Sequence, residues 1–326
     1  MLRTVLAALV GGSLLTSLPA AAVTIDVALF HTERDTFAET YKWWADEVAK
    51  RTDNRVQFKA HYSGSLVPLT EVFNAVRNGV VPAGVVAPSV ISGQIPAMGY
   101  IEAIGGLPGD PDTAAKALDT LQGHIEGVFR QSGVEYIWMQ ASSGAGVACH
   151  GKHLKTEADW KGVKIRSAGR WQGAQMQQFG ASPTSIDPGE LYLALQNKTV
   201  DCSLIVTQLA LSLKLYEVAP KITQFDMPVN AVIYIVNKDV WGKISDADKR
   251  AIRAAAKEAN VKASHLVYKA QEEAAQKMKA LGADLYKLNP SEQAAFRKAM
   301  QPIFGKIAEA SGANGKPIAD VLKPHW

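Results

Sequence analysis

The segment Asp159-Trp-Lys-Gly-Val-Lys-Ile-Arg-Ser-Ala-Gly169 contains a short strand-like run that ends on an arginine. Residues 164–167 have the pattern of a strand, and Gly162 and Gly169 mark the turns on either side. We expect Arg166 at the end of this strand, facing a crevice. Its guanidinium would there offer a rigid fork that binds a carboxylate through two parallel hydrogen bonds. A surface arginine in an ordinary ion pair is the alternative.

Strands and helices alternate around this segment. We expect strands over 147–150 and 199–205, and helices over 171–179 and 190–196. The small residues 142–146 precede this unit and favour a flexible connection. The pattern predicts one α/β unit with its own sheet.

A first α/β unit is predicted nearer the N-terminus. Strands are expected over 23–30, 55–62 and 80–88, with a helix beginning at Thr36 and another at Thr70. The strand–helix–strand order implies parallel pairing in a sheet covered by helices. A further strand over 231–237 lies out of order, so it could return to this first sheet and join two lobes through a hinge.

The C-terminal third is predicted to be helical. Residues 246–281 contain neither Gly nor Pro and would form a helix of roughly 54 Å, longer than one lobe. Such a helix would brace both lobes. Pro290 favours the first turn of another helix, which extends toward Ala310.

The first 22 residues have the layout of a secretory signal peptide. Arg3 precedes an apolar core over 5–15, and three alanines follow Pro19. An uncleaved membrane anchor is the alternative, but the apolar core is short for one. We predict a signal peptide over 1–22 and a mature chain exported to the periplasm, an oxidising compartment.

The composition excludes several classes of protein. The 326 residues are 47% apolar and 20% charged, with a net charge of +4, which is typical of a globular chain and shows no basic stretch for nucleic acid. After the N-terminal segment there is no apolar run long enough to cross a bilayer. Phosphate-loop, serine-hydrolase and zinc-protease motifs are absent, and the seven histidines show no metal-ligand spacing. We expect no cofactor and no catalysis.

Cys149 and Cys202 are the only cysteines. Because the chain is expected to be exported, a disulfide between them is favoured over two buried free thiols. The neighbouring Cys149 and His150 invite a thiol nucleophile, but adjacent residues of a strand point to opposite faces.

Three blocks resemble the solute-binding proteins of TRAP transporters, the DctP family. They are DWKGVKIRSAG (159–169), FGASPTSIDPGELYLALQNKTVD (179–201) and LYEVAPKITQF (215–225). The N-terminal part is similar more loosely, through 43–66 and 71–81. The resemblance implies a two-lobed, type II-like periplasmic binding fold whose long helix spans both lobes. It also implies that Arg166 binds a substrate carboxylate and that the loaded protein docks on the permease subunits.

The expected lobes follow from this fold. Lobe I would comprise 23–143 and 231–271, and lobe II would comprise 144–230 and 272–326. Among further ligand-binding residues, Phe30 and His31 end the first strand, Ser89 follows the third strand, and Trp171 lies beyond the Arg166 turn. Trp138 could approach from the crossing between lobes. Core packing is an alternative of at least equal weight for Phe30 and Trp138, and a solvated loop is an equal alternative for His31.

Departures from the family pattern suggest the kind of ligand. Ile205, which we also expect to be a ligand-binding residue, stands where many members have a side-chain amide. Gly146 stands where sialic-acid-binding members have a second arginine. Ala87 lies near a position that can be acidic, and Pro82 replaces an aspartate. Unpaired polar groups of a sugar acid or a dicarboxylate would each cost about 1–3 kcal/mol. We therefore expect a small monocarboxylate with an apolar or aromatic body.

Two other functions remain open from the sequence. One is an exported thiol-dependent hydrolase or transferase that uses Cys149. The other keeps the binding fold but attaches it to a sensor kinase instead of a permease.

Overall fold

The computed structural model describes residues 22–225, 227–228 and 230–326. The predicted signal peptide therefore lies outside the described residues, apart from Ala22. The chain folds into two sheets covered by helices, as the sequence predicted. None of the helices within the described part of the chain combines the length and the apolar character needed to cross a bilayer.

The eleven strands of the described residues are short. They are β1 (Val23–Ala28), β2 (Val56–His61), β3 (Ala83–Val86), β4 (Val134–Ala141), β5 (Ala145–Cys149), β6 (Lys164–Ser167), β7 (Ser182–Ser185), β8 (Cys202–Val206), β9 (Lys221–Gln224), β10 (Ala231–Asn237) and β11 (Asp284–Lys287).

Helices connect and cover these strands. They are α1 (Thr36–Arg51), α2 (Leu69–Arg77), α3 (Pro88–Ile91), α4 (Gly99–Glu102), α5 (Pro111–Gln131), α6 (Arg170–Gln178), α7 (Leu191–Gln196), α8 (Thr207–Ser212), α9 (Lys238–Gly242), α10 (Asp246–Ala280), α11 (Pro290–Met300) and α12 (Ile303–Leu322).

The first sheet has the order β2-β1-β3-β10-β4. Its strands β1, β2 and β3 pair in parallel, because each is followed by a helix that returns the chain to the same edge. Strand β10 runs antiparallel between β3 and β4. The predicted return of 231–237 to the first sheet is therefore confirmed.

The second sheet has the order β11-β9-β5-β8-β6-β7. The chain enters it through 142–144, between β4 and β5, and leaves it between β9 and β10. It returns through α10, which leads from β10 of the first sheet to β11 of the second. Strand β6 pairs in parallel with β7 and β8, so Arg166 lies opposite Thr184 on one side and Ser203 on the other. Arg166 therefore lies one residue before the end of a strand that is paired on both sides.

Helix α10 is the predicted long helix. It runs unbroken for 35 residues, and the Ser245 side chain caps it by accepting a hydrogen bond from the Asp248 N–H. It packs against α1, α5 and β4 of the first sheet and against α8 of the second. One rigid element thus contacts both halves of the molecule.

The C-terminal region differs from the prediction in two respects. The single helix expected from Pro290 to Ala310 is two helices, because Pro302 separates α11 from α12. Residues 272–326 were expected in lobe II, whereas α12 packs against α4 and α5, and its Ile303 and Phe304 join the hydrophobic core of the first sheet. The division into lobes as a whole stays a prediction.

Cys149 and Cys202 form a disulfide. The two residues lie directly opposite each other on the antiparallel strands β5 and β8. Cys202 is also the neighbour of Ile165 across β8 and β6, one residue from Arg166. The disulfide therefore cross-links the centre of the second sheet close to the arginine.

Candidate functional site

A cavity of about 60 Å³ lies between the edges of the two sheets. Most of its wall is apolar, and its charged side chain is Arg166. It is lined by Phe30, His31, Phe37, Leu69, Ala87, Ser89, Ser142, Arg166, Ala168, Gln172, Pro188, Leu204, Ile205, Val206, Leu209, Asn230, Ala231 and Val232. Five of the seven predicted ligand-binding residues are in this set: Phe30, His31, Ser89, Arg166 and Ile205.

Arg166 is held in place by backbone carbonyls rather than by a carboxylate. Its Nε donates to the Ile186 carbonyl at 3.0 Å, and its Nη1 donates to the Leu204 carbonyl at 2.9 Å. Only 5% of the residue is exposed, and burial lowers the pKa of its guanidinium to about 10, against an opposing effect of Asp187. The group is therefore still a cation at neutral pH, and no ion pair found among the described residues includes it.

His31 faces the same cavity from the end of β1. The residue is 2% exposed, and its ring packs against Phe30 and Phe37. Burial lowers the pKa of its imidazole to about 3, so the ring is neutral at physiological pH. A neutral imidazole can donate one hydrogen bond and accept another. It adds polarity to the cavity without a second positive charge.

Ser89 and Asn230 form a doubly hydrogen-bonded pair. The Asn230 Nδ2 donates to the Ser89 Oγ at 3.0 Å, and the Ser89 N–H donates to the Asn230 Oδ1 at 3.3 Å. Because the Ser89 oxygen accepts from the amide, its own proton remains for another acceptor. Asn230 has a φ of +65°, a left-handed conformation that is strained for most residues and tends to occur at functional sites.

The structure places the two predicted tryptophans outside this cavity. Trp138 belongs to β4, where it stacks on Tyr234 with ring centres 4.3 Å apart inside the core between the first sheet and α10. Trp171 is in α6, but its ring lies over Gly99, in the core shared with α12. Its neighbour Gln172 reaches the cavity instead, because adjacent residues of a helix point about 100° apart.

The residues that depart from the family pattern differ in whether they reach the cavity. Ile205 and Ala87 line the cavity. Gly146 lies within β5, where an added Cβ would come within 2.8 Å of the Thr223 carbonyl, so the sheet leaves no room for a longer side chain. The sequence reasoning missed Gln172, Asn230 and Ser142, which restore polar groups to the cavity. A signal for Asn230 was its place immediately before the returning strand.

Asp35 caps α1 just beyond the cavity, and its environment gives a prediction for stability. Its Oδ1 accepts from the Phe37 N–H, while burial raises the pKa of its carboxyl group from 3.8 to about 7. The charged form is thus disfavoured in the fold, and stability is lost as the pH rises from about 4 to 7.

We expect Asp35→Asn to be nearly neutral at pH 4 and stabilising at pH 8. Asparagine is also a good helix cap, and a rise in pKa from 3.8 to about 7 corresponds to about 4 kcal/mol at most. Urea denaturation of both proteins at the two pH values measures the difference. Equal stabilities at pH 8 would show that the Asp35 carboxyl group is not destabilised by burial.

Two sheets with a long connecting helix and a cavity between them define a two-lobed ligand-binding protein. The family model "Bacterial extracellular solute-binding protein, family 7" (DctP) matches residues 27–311. The chain therefore belongs to the DctP family, and the resemblance seen in the sequence is confirmed.

Comparison with individual proteins agrees with this assignment. A solute-binding protein of Albidiferax ferrireducens is 28% identical over 187 residues, which are 55% of this chain and 53% of that protein. The matched region thus spans about half the length of that relative.

Two solved structures share the fold. A TRAP periplasmic solute-binding protein of Desulfovibrio salexigens with bound orotic acid has a TM-score of 0.87 and 21% identity, covering 93% of this chain and 98% of its own. An extracytoplasmic solute receptor of Bordetella pertussis that binds pyroglutamic acid has a TM-score of 0.85 and 17% identity, covering 93% and 100%. At these identities the likeness establishes the fold, and the predicted two-lobed architecture is confirmed.

Proposed function

We propose that this protein captures a small organic acid outside the cytoplasm and delivers it to a TRAP transporter permease. Arg166 binds the carboxylate in the cavity between the sheets. The ligand is a monocarboxylate with a small apolar or aromatic body and one neutral acceptor group. Membership of the DctP family supports delivery to a permease, whereas a sensor kinase remains the alternative partner.

One observation carries the assignment of the carboxylate site. Arg166 is 5% exposed and lines the cavity, yet its observed hydrogen bonds use only two of its five N–H groups, both to neutral carbonyls. A buried cation with no carboxylate at ion-pair distance is costly, because the more distant Asp187 offsets its desolvation only in part. A bound carboxylate lowers that cost by supplying charge and two acceptors.

The cavity itself supports a small monocarboxylate. One water molecule requires a cavity volume of about 10–15 Å³. The cavity volume of about 60 Å³ therefore accommodates only a few non-hydrogen atoms unless the lobes move apart. Phe30, Phe37 and Leu69 offer apolar contacts for the body of the ligand. No second cation lines the cavity in the part of the chain that the structure describes, which disfavours a dicarboxylate.

The hydrogen-bonded pair of Ser89 and Asn230 favours a ligand that carries a neutral hydrogen-bond acceptor. Their mutual hydrogen bonds leave the hydroxyl proton of Ser89 as a donor on the wall of the cavity. An oxo, hydroxy or lactam oxygen would accept it. The orotic and pyroglutamic acids of the two structural neighbours both combine one carboxylate with ring carbonyls.

The thiol-dependent enzyme is not favoured. Cys149 is joined to Cys202, so it has no free thiolate to act as a nucleophile. His150 directs its Nε2 to the Leu195 carbonyl, on the other side of the strand.

A panel of matched acids tests the proposal. We expect 2-oxobutanoate and L-pyroglutamate to raise the melting temperature, and butanoate and cyclopentanecarboxylate, which lack the carbonyl, to bind about tenfold or more weakly. Isothermal calorimetry gives the affinities, and mass spectrometry of denatured protein identifies any acid that copurifies. Tight binding of succinate, with no binding of any monocarboxylate, would contradict the proposed ligand class.

A further inference from the structure

Helix α6 begins without a cap of its own. Its N-cap residue is Gly169, which has no side chain to accept the first N–H groups of the helix. The Oε1 atom of Glu102 accepts from the Trp171 N–H at 2.7 Å and from the Gln172 N–H at 3.2 Å. A carboxylate at this end of a helix is also favoured by the helix dipole.

The cap comes from the other half of the molecule. Glu102 ends α4, whose Tyr100 and Ile101 pack in the core of the first sheet. Helix α6 connects β6 and β7 of the second sheet, although its Trp171 also reaches the core of the first sheet. Glu102 is fully buried, and its second oxygen accepts from the Ser92 hydroxyl. Burial raises the pKa of its carboxyl group to about 7, against the effect of these hydrogen bonds.

Further hydrogen bonds join the same two segments. The Gln172 Nε2 donates to the Glu102 carbonyl at 3.0 Å, and the Gln175 side chain bonds both to the N–H and to the carbonyl of Ile104. Gly169 permits the close approach, because an added Cβ would lie 2.1 Å from the Ser89 carbonyl and 2.8 Å from the Glu102 Oε1. These contacts can therefore all form only in one relative position of α4 and α6.

That position is also the one that forms the ligand cavity. Arg166 lies in β6, three residues before Gly169, and Ala168 and Gln172 line the same cavity. Holding the start of α6 against α4 therefore holds the arginine at its place opposite the first sheet.

We propose that Glu102 is a positioning residue for the ligand site: it caps α6 from the opposite lobe and stabilises the closed arrangement in which Arg166 faces the first sheet. This inference rests on the proposed function. Separation of the lobes would break these hydrogen bonds, so the cap slows the release of a bound acid without touching it.

The test compares Glu102→Ala with Glu102→Gln. Glutamine keeps an oxygen for both N–H groups of α6, so it should behave like the wild type, whereas alanine removes the cap. Asp110→Ala is the matched control, because the Asp110 carboxylate also caps a helix, α5, but accepts its hydrogen bonds from Thr113 of that same helix and not from α6.

We expect hydrogen exchange at 171–172 to become at least about tenfold faster in Glu102→Ala and to stay unchanged in Glu102→Gln and Asp110→Ala. With L-pyroglutamate and orotate as probes, stopped-flow kinetics should show about 30-fold faster dissociation for Glu102→Ala and association within about threefold of the wild type.

Two results would overturn the inference while the wild type still binds a probe. One is unchanged exchange at 171–172 in Glu102→Ala, and the other is faster exchange with unchanged dissociation, which would make the cap merely structural. If the wild type binds neither these probes nor any other carboxylate, the proposed function itself fails, and the inference falls with it.

Discussion

Replacing Arg166 with alanine is expected to lower the affinity for a monocarboxylate by about 100- to 1,000-fold. Truncating one partner of a buried, hydrogen-bonded charge pair costs about 2–5 kcal/mol. The ligand would lose its two-point contact, and its charge would remain in a largely apolar cavity. Calorimetry with L-pyroglutamate and 2-oxobutanoate measures the loss.

Two further variants separate charge from geometry. Arg166→Lys keeps the positive charge but offers no planar fork, so we expect an affinity between those of the wild type and the alanine variant. Arg170→Ala is the matched control, because Arg170 is exposed and its guanidinium lies over the Trp171 ring, 4.5 Å from its centre. We expect that variant to bind within about threefold of the wild type.

The stability of Arg166→Ala has to be measured beside its affinity. The substitution leaves the Ile186 and Leu204 carbonyls without the donors that they now have. A folded variant with a cooperative melting transition and no binding supports the assignment. Binding as tight as in the wild type would remove Arg166 from the proposed site.

Removing the disulfide is expected to have the largest effect on stability. Cys149 and Cys202 are separated by 53 residues, and closing a loop of this length restricts the unfolded chain by about 4 kcal/mol. We expect a Cys149→Ala, Cys202→Ala double variant, or the wild type in reductant, to lose up to that amount in urea denaturation.

The double variant also provides the control for the reductant. Dithiothreitol should lower the melting temperature of the wild type and leave that of the double variant unchanged. A wild type that exposes two thiols on reduction and melts at its original temperature would contradict the expected contribution of the disulfide to stability.

Reduction should also weaken ligand binding, because the disulfide lies close to Arg166. Cys202 neighbours Ile165, and Leu204, whose carbonyl accepts from Arg166, lies two residues further along β8.

Much of the secondary structure could be predicted from the sequence. Strands β6 and β10 agree residue for residue with the predicted strands 164–167 and 231–237, and α10 agrees within one residue. These segments have strong local signals: β-branched runs bounded by turns, or a long stretch free of Gly and Pro. Strand β4 was not predicted as a strand, because its residues are buried on both faces and show no alternation.

The side chains of the cavity were predicted less completely. Arg166 and Ile205 each lie one residue before the end of a strand, and Phe30, His31 and Ser89 follow the ends of strands. Ligands of α/β folds bind outside the carboxyl ends of strands, which is why these positions could be predicted. Trp171 and Gln172 could not be distinguished, because the rotation of α6 depends on what packs against it. The capping of α6 by Glu102 joins residues 69 apart in sequence, and nothing in either segment indicates the other.

By itself, the sequence determined the two α/β units, the returning strand, the long helix, the membership of the DctP family and the arginine at a strand end. Local propensity and hydrophobic period encode the strands and helices within a few neighbouring residues, whereas the family follows from the resemblance of three sequence blocks. The tertiary structure alone decided which side chains meet in the cavity and that Asn230 forms two hydrogen bonds with Ser89. It also decided that α12 packs on the first sheet and that one lobe caps a helix of the other. These contacts depend on the relative position of distant segments, which no local pattern records.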